Sequence, residues 1–188
     1  MVLPIYVYGW PQLRKKAEDV TPDYPGLQQL IADMFETMYH AEGCGLAAPQ
    51  IGLNLRLIVI DGEQMADKDK PDDMLRSFKK VFINLEIIER SGNEWTDDEG
   101  CLTFPKIRES VKRPMKIKIK YMDENFQPHS EEYEGMAARI IQHEYDHIEG
   151  IMFIDRISPL RRKLISGKLN NVAKGKVESK YKIKVYKK

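Results

Sequence analysis

The most constraining stretch of this 188-residue chain is His143-Glu144-Tyr145-Asp146-His147, set in a run, 136–149, that is apolar round most of a helix. At 3.6 residues per turn the two histidines stand one turn apart and about 40° round the axis, so both imidazoles face one point. Met136 and Ile140 share their stripe, Ile141, Tyr145 and Ile148 form a second, and Arg139, Gln142, Asp146 and Glu149 make the one polar stripe. Such a helix has to be buried. Glu144 falls between the two apolar stripes, where a carboxylate has no cheap reason to be. A His-Glu-x-x-His pattern on a helix lets two imidazoles share a metal ion while the carboxylate reaches the water beside it.

The rest of the chain reads as material to surround that helix. An apolar set at Leu27, Leu30, Ile31, Met34, Phe35 and Met38 predicts an amphipathic helix over 25–42, stopped at Gly43. Residues 43–52, with three glycines and Pro49, read as a loop, and 55–60 as a strand. Residues 61–73 are polar and charged, a surface excursion with no recognisable chemistry, before the strand-like 80–89. Strict alternation of Lys and apolar residues over 116–121 is the pattern of a half-buried strand, and 182–186 repeats it. No repeat, low-complexity run or linker divides the chain. The expectation is one α+β domain, 1–188, of antiparallel strands packed around one buried central helix that carries the metal-binding motif.

Two ligands do not make a catalytic metal site, which usually adds a third protein ligand and keeps one position open. No histidine follows His147, and beyond Glu149 the only acids are Asp155 and Glu178. Upstream, Cys101 in Glu99-Gly100-Cys101-Leu102-Thr103 could complete a Cys-His-His set, or could be a small buried hydrophobe. A third segment, Gly43-Cys44-Gly45-Leu46-Ala47-Ala48-Pro49-Gln50, offers residues that permit close backbone approach, and ends in a side-chain amide able to donate to an oxyanion.

Together and in this order, these three segments resemble the motifs of the peptide deformylases. The likeness begins at Leu3-Pro4-Ile5, includes Leu13-Arg14, and runs through Gly150 to the Asp155-Arg156-Ile157-Ser158-Pro159-Leu160 stretch. The resemblance implies that Cys101, His143 and His147 hold one divalent ion, with Fe(2+) favoured and Zn(2+) allowed. It also implies that Glu144 is the general acid and base, and that Gln50 and the Leu102 backbone N–H bind the oxyanion. Gly43, Cys44, Gly45, Arg108, Met136 and Ile140 would line the substrate pocket. The implied reaction is removal of the formyl group from the N-formylmethionine of newly made polypeptides, with release of formate. Thr103 stands where the family usually has Ser, and Cys44 where an aliphatic residue is common.

Charge and composition bear on where such a protein works. Residues 161–188 hold eleven Lys and Arg against one acid, Glu178, so this helix and strand extension carries +10 while the rest carries −9. A split of that kind points to a polyanionic partner, here ribosomal RNA where formylated chains emerge, though a solvated helix face and strand would look the same. No apolar run approaches the roughly 18 residues of a membrane span, and two cysteines are too few for a disulfide framework. The expected setting is the cytoplasm, with no membrane partner. Three rivals share part of the pattern: a zincin-like endopeptidase, a non-catalytic metal- or ribosome-binding module, and an amidase acting on another acyl group.

Overall fold

The computed structural model describes residues 1–70 and 73–187. In chain order these form β1 (Ile5–Tyr6), α1 (Leu27–His40), β2 (Gly45–Ala47), β3 (Leu57–Asp61), β4 (Lys79–Gly100) and β5 (Arg108–Met122). There follow β6 (Pro128–Glu134), α2 (Gly135–Ile148), α3 (Pro159–Leu164), α4 (Ser166–Ala173) and β7 (Ile183–Lys184). Helices and a mostly antiparallel sheet make this an α+β fold.

Strands β2 to β6 form one sheet in sequence order, every neighbouring pair antiparallel. The Leu-Ile-Val-Ile run of β3 explains its layers. Alternate residues of a strand point to opposite faces, and here both faces are covered. Ile58 and Ile60 join Phe82, Ile117 and Ile119 against Ala137, Ile141 and Ile148 of α2. Leu57 and Val59 join Val81 and Ile83 against Ile31, Met34 and Met38 of α1. A strand apolar at four consecutive positions is what such a middle layer requires.

Eleven of the 14 residues of α2 are buried, and they include Arg139, Gln142 and Asp146 of the polar stripe. That stripe faces protein: Gln142 donates to the Pro114 carbonyl, and Arg139 and Asp146 meet charges from β4, β5 and Arg156.

Several expected elements differ in extent. The segment expected as a loop, 43–52, holds β2 and a short 3-10 turn, Ala48–Ile51, because Leu46 and Ala47 pair with Val59 and Ile58. Strand β4 runs eleven residues beyond the expected 89, to Gly100. Its outer part pairs with β5 past one register shift, between Ser91 and Glu94, and its inward face is Trp95, Asp97 and Glu99 rather than a row of aliphatic residues, so no apolar alternation marks it. The excursion 61–73 holds one short 3-10 turn, Glu63–Met65, in its described part, and a second, Met74–Ser77, follows it, Pro71 and Asp72 lying outside the described residues.

The C-terminal extension returns to the body. Its strand, expected over 182–186, is the two residues of β7, which pair in parallel with β1. Leu169 and Val172 of α4 are buried, but Leu164 is 66% exposed because α3 and α4 break at Ile165 and turn it outward. Arg161 and Arg162 pair with Glu109 and Asp155, and Lys180 with Glu42, so part of the +10 is met by acids of the body. Lys188 lies outside the described residues.

Candidate active site

Helix α2 delivers His143 and His147 from one face, their ring centroids 5.3 Å apart. The end of β4 and the turn after it deliver Cys101, whose Sγ lies 3.2 Å from His147 Nε2. One donor atom from each of the three lies within 4.8 Å of the others. Burial alone would push the Cys101 thiol up, but the imidazoles beside it outweigh burial and bring it down to about 5. Cys44, also at the site, is pushed up to about 12 by burial and then by the neighbouring Glu144 carboxylate. The two thiols are therefore chemically distinct, and the one grouped with the histidines is the one held as thiolate, the form that binds metal.

His143 Nδ1 meets Glu99 Oε2 at 2.9 Å, which leaves Nε2 to face the cluster. Glu99 is itself clamped by Arg113, through Nε at 2.6 Å and Nη2 at 2.8 Å, and by Arg139 Nη1 at 2.6 Å. Arg113 Nη1 continues to Asp146 Oδ2 at 2.8 Å, and Asp146 takes Arg156. Arg139 also lies over the Trp95 ring, 4.2 Å from its centroid. Burial opposes the Glu99 charge, yet Arg113 and His143 hold its carboxyl well below the usual range. The polar stripe of α2 is thus one side of a buried ion network that fixes a histidine. These residues suit one divalent ion held by a sulfur and two nitrogens.

Gln50 is held the same way. Its Oε1 accepts from Ala47 N–H at 2.8 Å, which turns Nε2 toward Cys101 Sγ at 3.6 Å and Thr103 Oγ1 at 3.3 Å. Glu144 is buried, its Oε2 has no hydrogen-bond partner, and burial pushes the carboxyl up to about 6. The glycines of the 43–45 loop admit protein groups as well as a ligand. A Cβ on Gly45 would lie 2.5 Å from Glu144 Oε1, and one on Gly43 would lie 2.8 Å from Leu102 Cδ1.

These groups border one cleft of about 480 Å³, lined by Gly43, Cys44, Gly45, Gln50, Cys101, Leu102, Arg108, Met136, Ile140, His143 and Glu144. His147 lies behind that lining, buried against Cys101. Arg108 reaches back to the Asp98 carbonyl at 2.9 Å while its side chain faces the cleft.

The chain matches the family model for polypeptide deformylase over residues 2–163. A peptide deformylase of Christiangramia forsetii is 52% identical over 188 residues, covering 98% of this chain and 96% of that one. The chain belongs to the peptide deformylase family. Another of its members, from Flavobacterium psychrophilum, is 48% identical over 189 residues, with 98% and 97% covered. The solved peptide deformylase of Legionella pneumophila superposes with a TM-score of 0.79 at 39% identity, covering 94% of this chain and 98% of that one. That of Thermus thermophilus gives 0.79 at 37%, covering 93% and 99%. As a peptide deformylase this protein is a hydrolase that removes the N-formyl group from nascent peptides, in a metal-dependent family whose Cys-His-His group is present here.

Four residues at the peptide deformylase site were not singled out by sequence reasoning. Glu99 stood beside Cys101 in the motif without a role of its own, and Arg113 gave no local signal. Gln64, from the excursion expected to carry no chemistry, donates to the Gly43 carbonyl at 3.0 Å at the rim of the cleft. Tyr181, from the basic extension, lines the cleft from the opposite end of the chain. Among the described residues no helix is long and apolar enough to cross a membrane.

Proposed function

We propose that Cys101, His143 and His147 are the complete protein ligand set of one divalent ion, and that Glu144 moves the proton during hydrolysis of N-formylmethionyl peptides. The observation that carries this reading is the unpartnered, buried Glu144 Oε2 beside the Cys-His-His cluster. A carboxylate without a hydrogen bond in a dry site is costly unless it has a reacting partner. Bound to the cluster, a divalent ion supplies Lewis acidity that polarises the formyl carbonyl and acidifies water.

Glu144 accepts the proton of the water whose oxygen attacks the formyl carbon. Gln50 Nε2 and the Leu102 N–H donate to the carbonyl oxygen as charge arrives on it. Glu144 then gives its proton to the amine nitrogen as the C–N bond breaks, leaving formate and a free N-terminus. Met136, Ile140 and Cys44 offer apolar surface for the methionine side chain, Gly43 and Gly45 leave room for the peptide, and Arg108 lies where its backbone would run. Helix α2 acts as the central support of this site, and its burial supports that reading.

Iron(II) is the favoured ion and zinc the alternative, since one thiolate and two imidazoles suit both. The chain is read as a single domain, 1–188, with 161–188 an integral extension, because β7 pairs with β1. Two free cysteines, one held as thiolate, fit a reducing cytoplasm. The exposed lysines of the extension are read as a weak attraction to ribosomal RNA.

Formate release from formyl-Met-Ala-Ser, with metal content measured on anaerobically prepared protein, tests the reading. Wild type should turn over, losing activity in air when loaded with iron and keeping it when loaded with zinc. Glu144→Gln should keep the metal and lose turnover, and wild-type turnover in that variant would remove Glu144 from proton transfer.

A further inference from the structure

Tyr181 belongs to a segment 79 residues beyond Leu102, yet its hydroxyl donates to the Leu102 carbonyl at 2.7 Å inside the cleft. The contact is built from both ends of the chain. Residues 101–104 form a tight turn, closed by Phe104 N–H donating to the Cys101 carbonyl at 2.8 Å. That turn leaves the carbonyls of Leu102 and Thr103 facing outward. Tyr181 takes the first, and the Tyr8 N–H, just beyond β1, takes the second at 3.0 Å. The two holders are joined to each other, since Ile5 N–H donates to the Lys182 carbonyl at 2.9 Å and β1 pairs with β7.

The tyrosine is itself fixed. Ser179 Oγ donates to the Tyr181 carbonyl at 2.9 Å and accepts from its N–H at 3.2 Å. Lys180 ties the same segment to Glu42, at the start of the glycine loop on the other lip of the cleft, and Glu178 ties it to Lys106. The terminal segment therefore crosses from one lip to the other and places one phenol on the residue that follows Cys101.

We propose that Tyr181 is a positioning residue for the deformylation reaction. The Phe104 N–H holds the Cys101 carbonyl, which shares a peptide plane with the Leu102 N–H, and Tyr181 holds the carbonyl of the next plane, so between them the dihedral angles of Leu102 and the direction of its N–H are restrained. This rests on the reading of that N–H as an oxyanion donor. A donor turned away from the developing charge loses its effect without any change in substrate binding, because the oxyanion exists only in the transition state. The residue's signature is a fall in kcat with KM held.

The test uses metal-loaded full-length enzyme, formyl-Met-Ala-Ser as substrate, and three proteins beside wild type. The first is Tyr181→Phe, which keeps the ring and removes the hydroxyl. The second replaces leucine 102 by its α-hydroxy analogue, so that an ester oxygen stands where the N–H was. The third combines the two. Tyr181→Phe should keep full metal content and a thermal midpoint close to wild type, with kcat down about tenfold and KM within about twofold, less than the 10²-fold or more of losing a donor outright.

The ester protein should lose about 10² in kcat, and the combined protein should equal the ester protein, since the hydroxyl acts only through the missing N–H. Wild-type kcat in Tyr181→Phe, a rise in KM alone, loss of metal, or additive losses in the combined protein would each overturn the proposal while leaving the oxyanion reading intact. An ester protein with wild-type kcat would overturn the oxyanion reading, and this proposal with it.

Discussion

Gly45→Ala isolates the position of a single carboxylate. Gly45 lies in β2, in a backbone conformation open to any residue, so adding a methyl group brings no dihedral strain. What it brings is a Cβ 2.5 Å from Glu144 Oε1 and 2.8 Å from its Cγ and Cδ. Ordinary contact begins near 3.4 Å, so the oxygen has to retreat by about 0.9 Å, and a displacement of about 1 Å at a reacting group costs on the order of 10² in rate. That corresponds to about 2.7 kcal/mol in the barrier. The three atoms nearest to that Cβ all belong to Glu144 and none to His143 or His147, so metal content should stay full. Overpacking should cost about 1 to 3 kcal/mol of stability. Formate release at saturating formyl-Met-Ala-Ser, metal analysis and a urea melt on the same preparation give the three readings. A kcat within twofold of wild type would show that the exact place of Glu144 does not matter, and the proton-transfer assignment would fall.

Cys101→Ala should lose the metal and Cys44→Ala should keep it, read by metal analysis after dialysis; full occupancy without Cys101 would mean another third ligand. Arg113→Leu removes a side chain that is 1% exposed and leaves Glu99 and Asp146 each short of a partner. Because Arg139 and Arg156 remain on them, the loss should fall near the low end of a broken buried pair, about 3 kcal/mol in a urea melt, and metal affinity should fall about tenfold through the loosened His143. Replacing Lys174, Lys176, Lys187 and Lys188 by Gln should weaken ribosome association and flatten its salt dependence, with turnover on the short peptide unchanged; an unaltered salt slope would make the extension a solvated surface.

The Cys-His-His cluster was legible where the pattern is local. His143 and His147 are one helical turn apart, and any helix places them together. Cys101 was legible only through its company, because nothing in the spacing from 101 to 143 says that β4 ends beside α2. The same distance hid Glu99 and Arg113: charged residues in a hairpin arm read as surface, and only pairing across three segments turns them into a buried network. The long outer part of β4 was missed for a related reason, since its inward positions carry Asp97 and Glu99 beside Trp95, and an acidic inner face gives no apolar alternation to read. The extension was read by charge, and charge is silent about hydrogen bonds, so a phenol reaching the cleft from residue 181 could not be seen.

The parallel pairing of β1 with β7 also sets an order of events. A growing chain folds from its N-terminal side as it is made, and the segment that pairs with Ile5 is made after every other strand. The Ile5–Ile183 pairing is the most distant in sequence of the strand pairings among the described residues, and non-local pairings are the slower ones to form. The sheet, both its faces and the Cys-His-His cluster can all assemble while β1 still lacks its partner. Refolding followed by circular dichroism should therefore run ahead of refolding followed by turnover, and the interval between them is the time the last strand takes to find the first.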